Sequence, residues 1–387
     1  MKNGFKVIDG DLHLLEPWDL WEQRLPEPYR STTKLVPPSN LLEAAGTMFE
    51  VNGKVFGPAA PLVQRQSRQR LATDAHLARA RMDCTPEIWL EGLDIEGIDV
   101  AVLVPTKPLF FTTHDGLDPE HALALCRVYN DWAAEFTQAA PERFRFWGWL
   151  PRQDARLAAQ EARRCVRDLG AVGVAMTSAA VDGHLLCDAF FDPLWEEVDA
   201  LGVPFGLHVF GAMPDLQDDA VQRRYQGHPQ AEVVLVTFSG LYHGMTSLAE
   251  LVLGGVLERY QHLKPVIMET GASWLFWLLW RMDEQWEKYA PYVSYELSMK
   301  PSAYVRERCY ITVDCDEDAL PYLVDYGLTD NLLISTDYPH HDSPFPEAIS
   351  SFLAVEGVSA DAKRKILWDN PARLFGLGVA ERAITRR

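Results

Sequence analysis

Cysteine is sparse and never paired in sequence. Cys84, Cys126, Cys165, Cys187, Cys309 and Cys315 are scattered over 387 residues with no CxxC among them. That pattern excludes a disulfide framework and suits buried, reduced thiols in a cytoplasmic protein. Basic residues are the scarcer charge: Lys+Arg total 36 against 55 Asp+Glu, a formal net charge of −19. With nothing to supply a basic stripe, no nucleic-acid partner is expected. Long apolar runs are missing too. No window approaches the ~18 residues of a membrane span, and the richest, Trp274 to Trp280, has seven residues. Residues Met1 to Asp9 carry no apolar stretch of signal-peptide length, so no membrane association is expected. A Gly-x-Ser-x-Gly elbow, a P-loop and a Gly-rich phosphate turn after the first apolar run are all absent. The last absence argues against an open doubly wound sheet.

What is present is ordinary globular composition, 48% hydrophobic and 24% charged. Short β-rich runs alternate with helical patterns almost from end to end. The runs are Phe5–Ile8, Val100–Val104, Phe144–Leu150, Ala171–Met176, Val203–Val209, Pro265–Met268, Cys309–Val313 and Leu332–Ser335. Most are nearly continuous in apolar residues, as strands buried on both faces of a parallel sheet must be. Helix starts lie between them: Asp118-Pro119, Asp154 or Gln153, Asp192-Pro193, and Ser359 for a helix that should stop before Asn370-Pro371. The closed solution to eight βα units is a (β/α)8 TIM barrel, here expected as one domain over residues 1–387. About 70 residues separate the first run from the helix near Thr85, too many for a plain connection. Because this segment leaves the C-terminal end of the first strand, residues 18–84 are expected to form a lid or insertion over the active-site rim.

In such a barrel the chemistry sits where strands end. The first strand ends in Asp9-Gly10-Asp11-Leu12-His13, and alternation in an extended chain lets Asp11 and His13 face one point. The fifth run closes on His208, the sixth on Glu269, and the eighth leads to Asp337 and His340. Each group would cost free energy if buried alone. One cation would stabilise them together. The oxygen and nitrogen donors, without thiolate, suit Zn²⁺ or Mn²⁺. Trp18, beside Glu16-Pro17 at the rim, is a candidate to stack on an aromatic ligand. Arg65, Arg68, Arg70 and Arg81 could clamp a carboxylate from the insertion. Trp274, Trp277 and Trp280 recur on one helix face and read as core or subunit packing.

Several motifs together resemble the amidohydrolase-related group that contains aminocarboxymuconate semialdehyde decarboxylase and the metal-dependent aromatic acid decarboxylases. They are Asp11-Leu12-His13-Leu14-Leu15-Glu16-Pro17, the stretch Gly202 to His208, Gly254 to Tyr260, Glu269 to Trp274, and Ser335-Thr336-Asp337-Tyr338-Pro339-His340. Lys365-Ile366-Leu367 and Asn370 to Gly376 extend the likeness to the C-terminal end. The resemblance implies metal ligation by Asp11, His13, His208 and Asp337, catalytic roles for Asp337 and His208, and a homodimer. Glu16, Trp18 and His340 are then placed around the substrate. Two departures are visible. Asp11 stands where many relatives have His or Glu, and Glu269 stands where the decarboxylases carry a histidine that takes part in the chemistry. Glu269 is therefore expected to point at the metal as a further ligand or general acid/base. The competing expectation is a buried ion pair with Arg259 or Arg281.

The resulting expectation is a metal-dependent, non-redox carboxy-lyase acting on a small aromatic or unsaturated carboxylic acid, with zinc as the expected cofactor and manganese as the alternative. The alternatives are a hydrolase or hydratase opening a lactone, amide or activated C–C bond, and a barrel that binds ligand without catalysis.

Overall fold

A computed structural model of the chain describes residues 1–36, 48–51, 53–56, 75–209, 224, 228, 231–340 and 343–377. Arg65, Arg68 and Arg70 lie outside these residues. The strands in chain order are β1 (Ile8–His13), β2 (Thr33–Val36), β3 (Met48–Val51), β4 (Lys54–Phe56), β5 (Val100–Val104), β6 (Phe144–Trp149), β7 (Gly173–Thr177), β8 (Pro204–His208), β9 (Lys264–Met268), β10 (Tyr310–Val313) and β11 (Leu332–Ile334). β1 and β5 to β11 form one eight-stranded sheet in chain order, each strand parallel to the next. The sheet curls into a nearly closed barrel ringed by helices, the (β/α)8 architecture. β2, β3 and β4 make a separate antiparallel sheet inside the insertion.

Seven of the eight strands fall on the expected runs. The first does not: the apolar run Phe5–Ile8 meets β1, Ile8–His13, only at Ile8, and the strand is made of the Asp9 to His13 segment read as its end. Polar residues at alternate positions broke the apolar pattern, although all six residues of β1 are buried. A register shift against β5 falls between Asp9 and Leu12.

The helices begin where capping chemistry says they should. The Asp118 carboxylate accepts from His121 N at 2.9 Å and opens Pro119–Thr137. Asp154 accepts from Arg156 N and Leu157 N and opens Ala155–Arg167. Thr85 caps Pro86–Glu96, which stops at Gly97 with φ +81°. Asp192 is the first residue of its helix rather than its cap. The expected stop before Asn370-Pro371 is also wrong. A wider π-helical turn, Lys365–Asp369, carries the chain into Asn370–Leu374, where Pro371 sits in the first turn and needs no amide partner.

Trp147 fills the barrel floor. Its Nε1 donates to Gly10 O at 3.0 Å and its ring meets Phe375 edge-on. Gly173 makes room for it, since a Cβ there would stand 2.5 Å from the indole. His13 and His208 close β1 and β8 at the C-terminal ends of the strands.

Trp277 and Trp280 are about half exposed on helix Leu275–Tyr289, beside exposed Phe276. The core-packing expectation for them fails, because this helix buries Leu275, Leu278, Leu279 and Met282 instead. No helix among the described residues is long and apolar enough to cross a membrane. All six cysteines are free thiols.

Candidate active site

The geometry starts from two imidazoles. His13 ends β1 and His208 ends β8, and both are fully buried. His13 Nδ1 donates to Pro105 O at 2.9 Å, and His208 Nδ1 donates to Val209 O at 2.6 Å. A carbonyl can only accept, so each Nδ1 holds a proton and each Nε2 is turned inward. The two Nε2 atoms lie 3.2 Å apart. Two lone pairs at that separation repel unless a proton or cation stands between them.

Carboxylates surround this point. Asp11 Oδ1 is 3.5 Å from His208 Nε2, is buried, and has no hydrogen-bond partner among the described residues. Glu269 Oε2 is 3.2 Å from His208 Nε2 and 3.7 Å from His13 Nε2. Asp337 Oδ1 is 3.5 Å from His13 Nε2 and 2.7 Å from His340 Nδ1. Two overlapping groups have the spacing of a metal site: Asp11, His13 and His208; and His13, Glu269, Asp337 and His340. The orphaned Asp11 oxygen and the opposed imidazole nitrogens fit a divalent cation, with the main-chain carbonyls fixing the tautomer behind each histidine.

The protonation states follow from this crowding. Burial lowers the pKa of His13, helped by the nearby positive charge of His340 and His208, so His13 is neutral. Burial pulls His208 the same way, but the carboxylates of Asp11 and Glu269 outweigh it and push it up to about 9. Glu269 is pushed well above the usual carboxylate range, by removal from water and then by the charge of Asp337. Its side chain nevertheless keeps 36% of its surface accessible, so it faces the mouth of the barrel. Glu269 and Asp337 both hold left-handed backbone, with φ of +55° and +54°. For residues other than glycine this is strained, and such strain clusters at functional sites.

The competing arginine ion pair of Glu269 is not seen among the described residues. Arg259 pairs with Asp192 and Arg281 with Glu284. Glu16, expected near substrate, is buried and accepts from Thr106 N and Lys107 N at 3.0 Å each. It therefore anchors the segment after β5. His340 packs against His13 with ring centroids 3.9 Å apart and planes inclined at 31°. Trp18 is 46% exposed.

Two contributors escaped the sequence reading. Thr106 Oγ1 lies 3.1 Å from His13 Nδ1 and 3.1 Å from His340 Nε2. A search for ionisable groups at strand ends passes over a threonine. The fully buried Trp149 presents its ring edge to His208, and an apolar strand gives no sign of which indole will reach the site.

A (β/α)8 barrel with histidines and carboxylates converging at the strand ends defines a metal-type enzyme site rather than a cofactor cleft or a nucleophile elbow. The chain belongs to the amidohydrolase family, whose profile matches residues 8–377. It is 30% identical over 297 residues to a gamma-resorcylate decarboxylase of Polaromonas sp., covering 74% of this chain and 85% of that protein. It is 26% identical over 295 residues to a 2-amino-3-carboxymuconate-6-semialdehyde decarboxylase of Dictyostelium discoideum, covering 76% and 77%. Its fold matches a crystal structure of a Polaromonas dihydroxybenzoic acid decarboxylase with bound manganese and 2-nitroresorcinol. The TM-score is 0.66 at 23% identity, over 98% of this chain and 99% of that one.

Proposed function

We propose that this chain is a metal-dependent carboxy-lyase that removes carbon dioxide from a small aromatic carboxylic acid. The observation that carries the proposal is the opposed pair of His13 and His208 Nε2 atoms at 3.2 Å, ringed by three carboxylates. Asp11, His13, His208 and Asp337 would hold the cation. Their oxygen and nitrogen donors suit zinc or manganese, and the manganese of the Polaromonas dihydroxybenzoic acid decarboxylase favours the latter. A bound divalent cation supplies Lewis acidity and fixed positive charge at the rim.

The protein's residues then have separable tasks. Decarboxylation of an arene acid consumes one proton. The ring carbon bearing the carboxylate takes it, the C–C bond breaks, and its electron pair returns to the ring as carbon dioxide leaves. Asp337 is the proton donor, oriented by His340 at 2.7 Å. Thr106, beside both His340 and His13, sets the direction of that imidazole. Glu269, at the mouth, exchanges a proton with the substrate hydroxyl. Trp18, exposed on the segment after β1, is available to cover an aromatic ring.

Residues 18–84 act as a lid in this proposal. Tyr29 stacks on His121 and Thr33 Oγ1 lies 2.9 Å from His121 Nε2, at the rim end of helix Pro119–Thr137. His76 Nε2 lies 2.8 Å from the hydroxyl of Tyr338, next to Asp337. Arg81, buried in the same insertion, is the candidate carboxylate clamp. The exposed aromatic face of Phe276, Trp277 and Trp280 supports a homodimer. The free cysteines support a reducing, cytoplasmic setting.

A hydrolase or hydratase is the second reading. It is favoured by Glu269, a carboxylate suited to activating water, standing where the resembling decarboxylases carry histidine. Carbon dioxide release from a panel of hydroxybenzoates by manganese- or zinc-loaded protein tests the first. Release that stops on chelation is expected. No release, with turnover of a lactone or amide panel, would move the assignment to the second.

A further inference from the structure

We propose that Asp9 is a positioning residue that clamps the closing seam of the barrel and so sets the separation of Asp11 and His13 from Asp337. The inference rests on those three residues being metal ligands, as proposed above.

β1 and β11 are the two ends of the eight-stranded sheet, and among the described residues they share no regular ladder. Asp11 and His13 stand on one side of this seam and Asp337 on the other. Nothing in ordinary sheet pairing fixes the distance between them. The seam is instead stitched by polar contacts, and Asp9 makes the lowest. One carboxylate oxygen accepts from Asp11 N at 3.1 Å. The other accepts from the Thr336 hydroxyl and from Thr336 N at 3.3 Å. Above it, Ser335 Oγ donates to Asp11 O at 3.2 Å, and His13 N donates to Tyr338 O at 2.8 Å.

Every partner of Asp9 is a proposed ligand or the neighbour of one. Thr336 precedes Asp337, whose left-handed backbone must be held from both sides to persist. On the other side, Asp9 borders the register shift through which β1 delivers Asp11. The carboxylate is fully buried, and no ion pair of Asp9 is found among the described residues. A seam closed only for stability would be better filled by apolar side chains than by a buried acid without a counter-ion. Three donors drawn from the two ligand-bearing segments give the acid a use that an apolar pair lacks.

The test uses full-length protein stripped of metal and titrated with Mn²⁺, with free ion followed by electron paramagnetic resonance. Asp9→Asn leaves a single acceptor oxygen, so the side chain can no longer accept from both Asp11 N and Thr336 N, and the link between the two segments breaks. Thr336→Val breaks the same link by removing the hydroxyl that Asp9 accepts from, and Thr336→Ser keeps it. Asp9→Asn and Thr336→Val are each expected to weaken Mn²⁺ binding ~10–100-fold, the usual cost of losing a group that orients ligands. Thr336→Ser should keep wild-type affinity. Because both substitutions cut one link, the double variant should be no weaker than the worse single one. If Asp9→Asn does not fold, Thr336→Val against Thr336→Ser decides alone. Wild-type Mn²⁺ affinity in folded Asp9→Asn or Thr336→Val overturns the clamp while leaving the metal site standing. A wild-type chain that binds no Mn²⁺ overturns both.

Discussion

His13 and His208 face each other through their Nε2 atoms at 3.2 Å, each ring braced from behind by a main-chain carbonyl. In the metal-free chain one proton, held on His208, relieves the repulsion between them. The cation must displace that proton, and this makes its binding pH-dependent.

Apparent metal affinity should therefore rise with pH and level off above about 9, the value to which His208 is pushed. One displaced proton gives a slope of up to about tenfold per pH unit below that point. For His208 alone, the raised pKa stabilises the metal-free fold below its ordinary 6.5, and that contribution fades as pH rises through about 9. Competition titrations between pH 6 and 9 measure the slope. A flat profile would place the cation elsewhere.

Removing metal should lower the melting temperature. A cation held at a hundredfold over its Kd contributes about 2.7 kcal/mol of stability. Wild-type protein should lose that increment on chelation, whereas His13→Ala and His208→Ala should melt at the same temperature with or without metal. Scanning calorimetry on the three proteins reads the difference.

Glu269→Gln keeps the shape of the side chain and removes its ability to give up or take a proton. Turnover should be abolished while the melting temperature changes little, because Arg259 and Arg281 are engaged with Asp192 and Glu284. Had Glu269 been the partner of a buried arginine, the loss would be ~3–5 kcal/mol. Full activity with unchanged metal content would rule out a catalytic role.

Much of this was legible in the sequence, for a physical reason. Strands buried on both faces are written as apolar runs, and seven of eight were read in place. The apolar run Phe5–Ile8 missed most of β1 because Asp9, Asp11 and His13 interrupt the apolar pattern of a strand that is buried throughout. Asp11, His13, His208, Glu269 and Asp337 could be named because strand ends in a barrel share one rim. Thr106 and Asp9 could not, since their importance comes from hydrogen bonds between segments 90 or more positions apart. Trp277 and Trp280 show the opposite limit, because periodicity marks a helix face without saying what covers it.

Replacing Trp277 and Trp280 together by Glu should turn a dimer into a monomer with little loss of fold, as both side chains are already half exposed. Sedimentation at micromolar concentration distinguishes the species. A wild-type monomer would remove the proposed role of this face.

Gly173→Ala should cost about 1–3 kcal/mol, the range for overpacking a filled core. The new methyl meets the Trp147 ring at 2.5 Å, and Trp147 is pinned by its bond to Gly10 O. Chemical denaturation measures the change. A neutral result would mean the barrel floor is looser than its packing indicates.

The central claim is one divalent cation per chain, shared by Asp11, His13, His208 and Asp337. Anomalous diffraction from crystals of the manganese-loaded protein, recorded on both sides of the manganese absorption edge, tests it most directly. A single peak between the two imidazoles is expected, at ~2.0–2.2 Å from the nitrogen and oxygen donors. A fully loaded crystal with no peak between His13 and His208, or with its peak at another set of residues, would contradict the account.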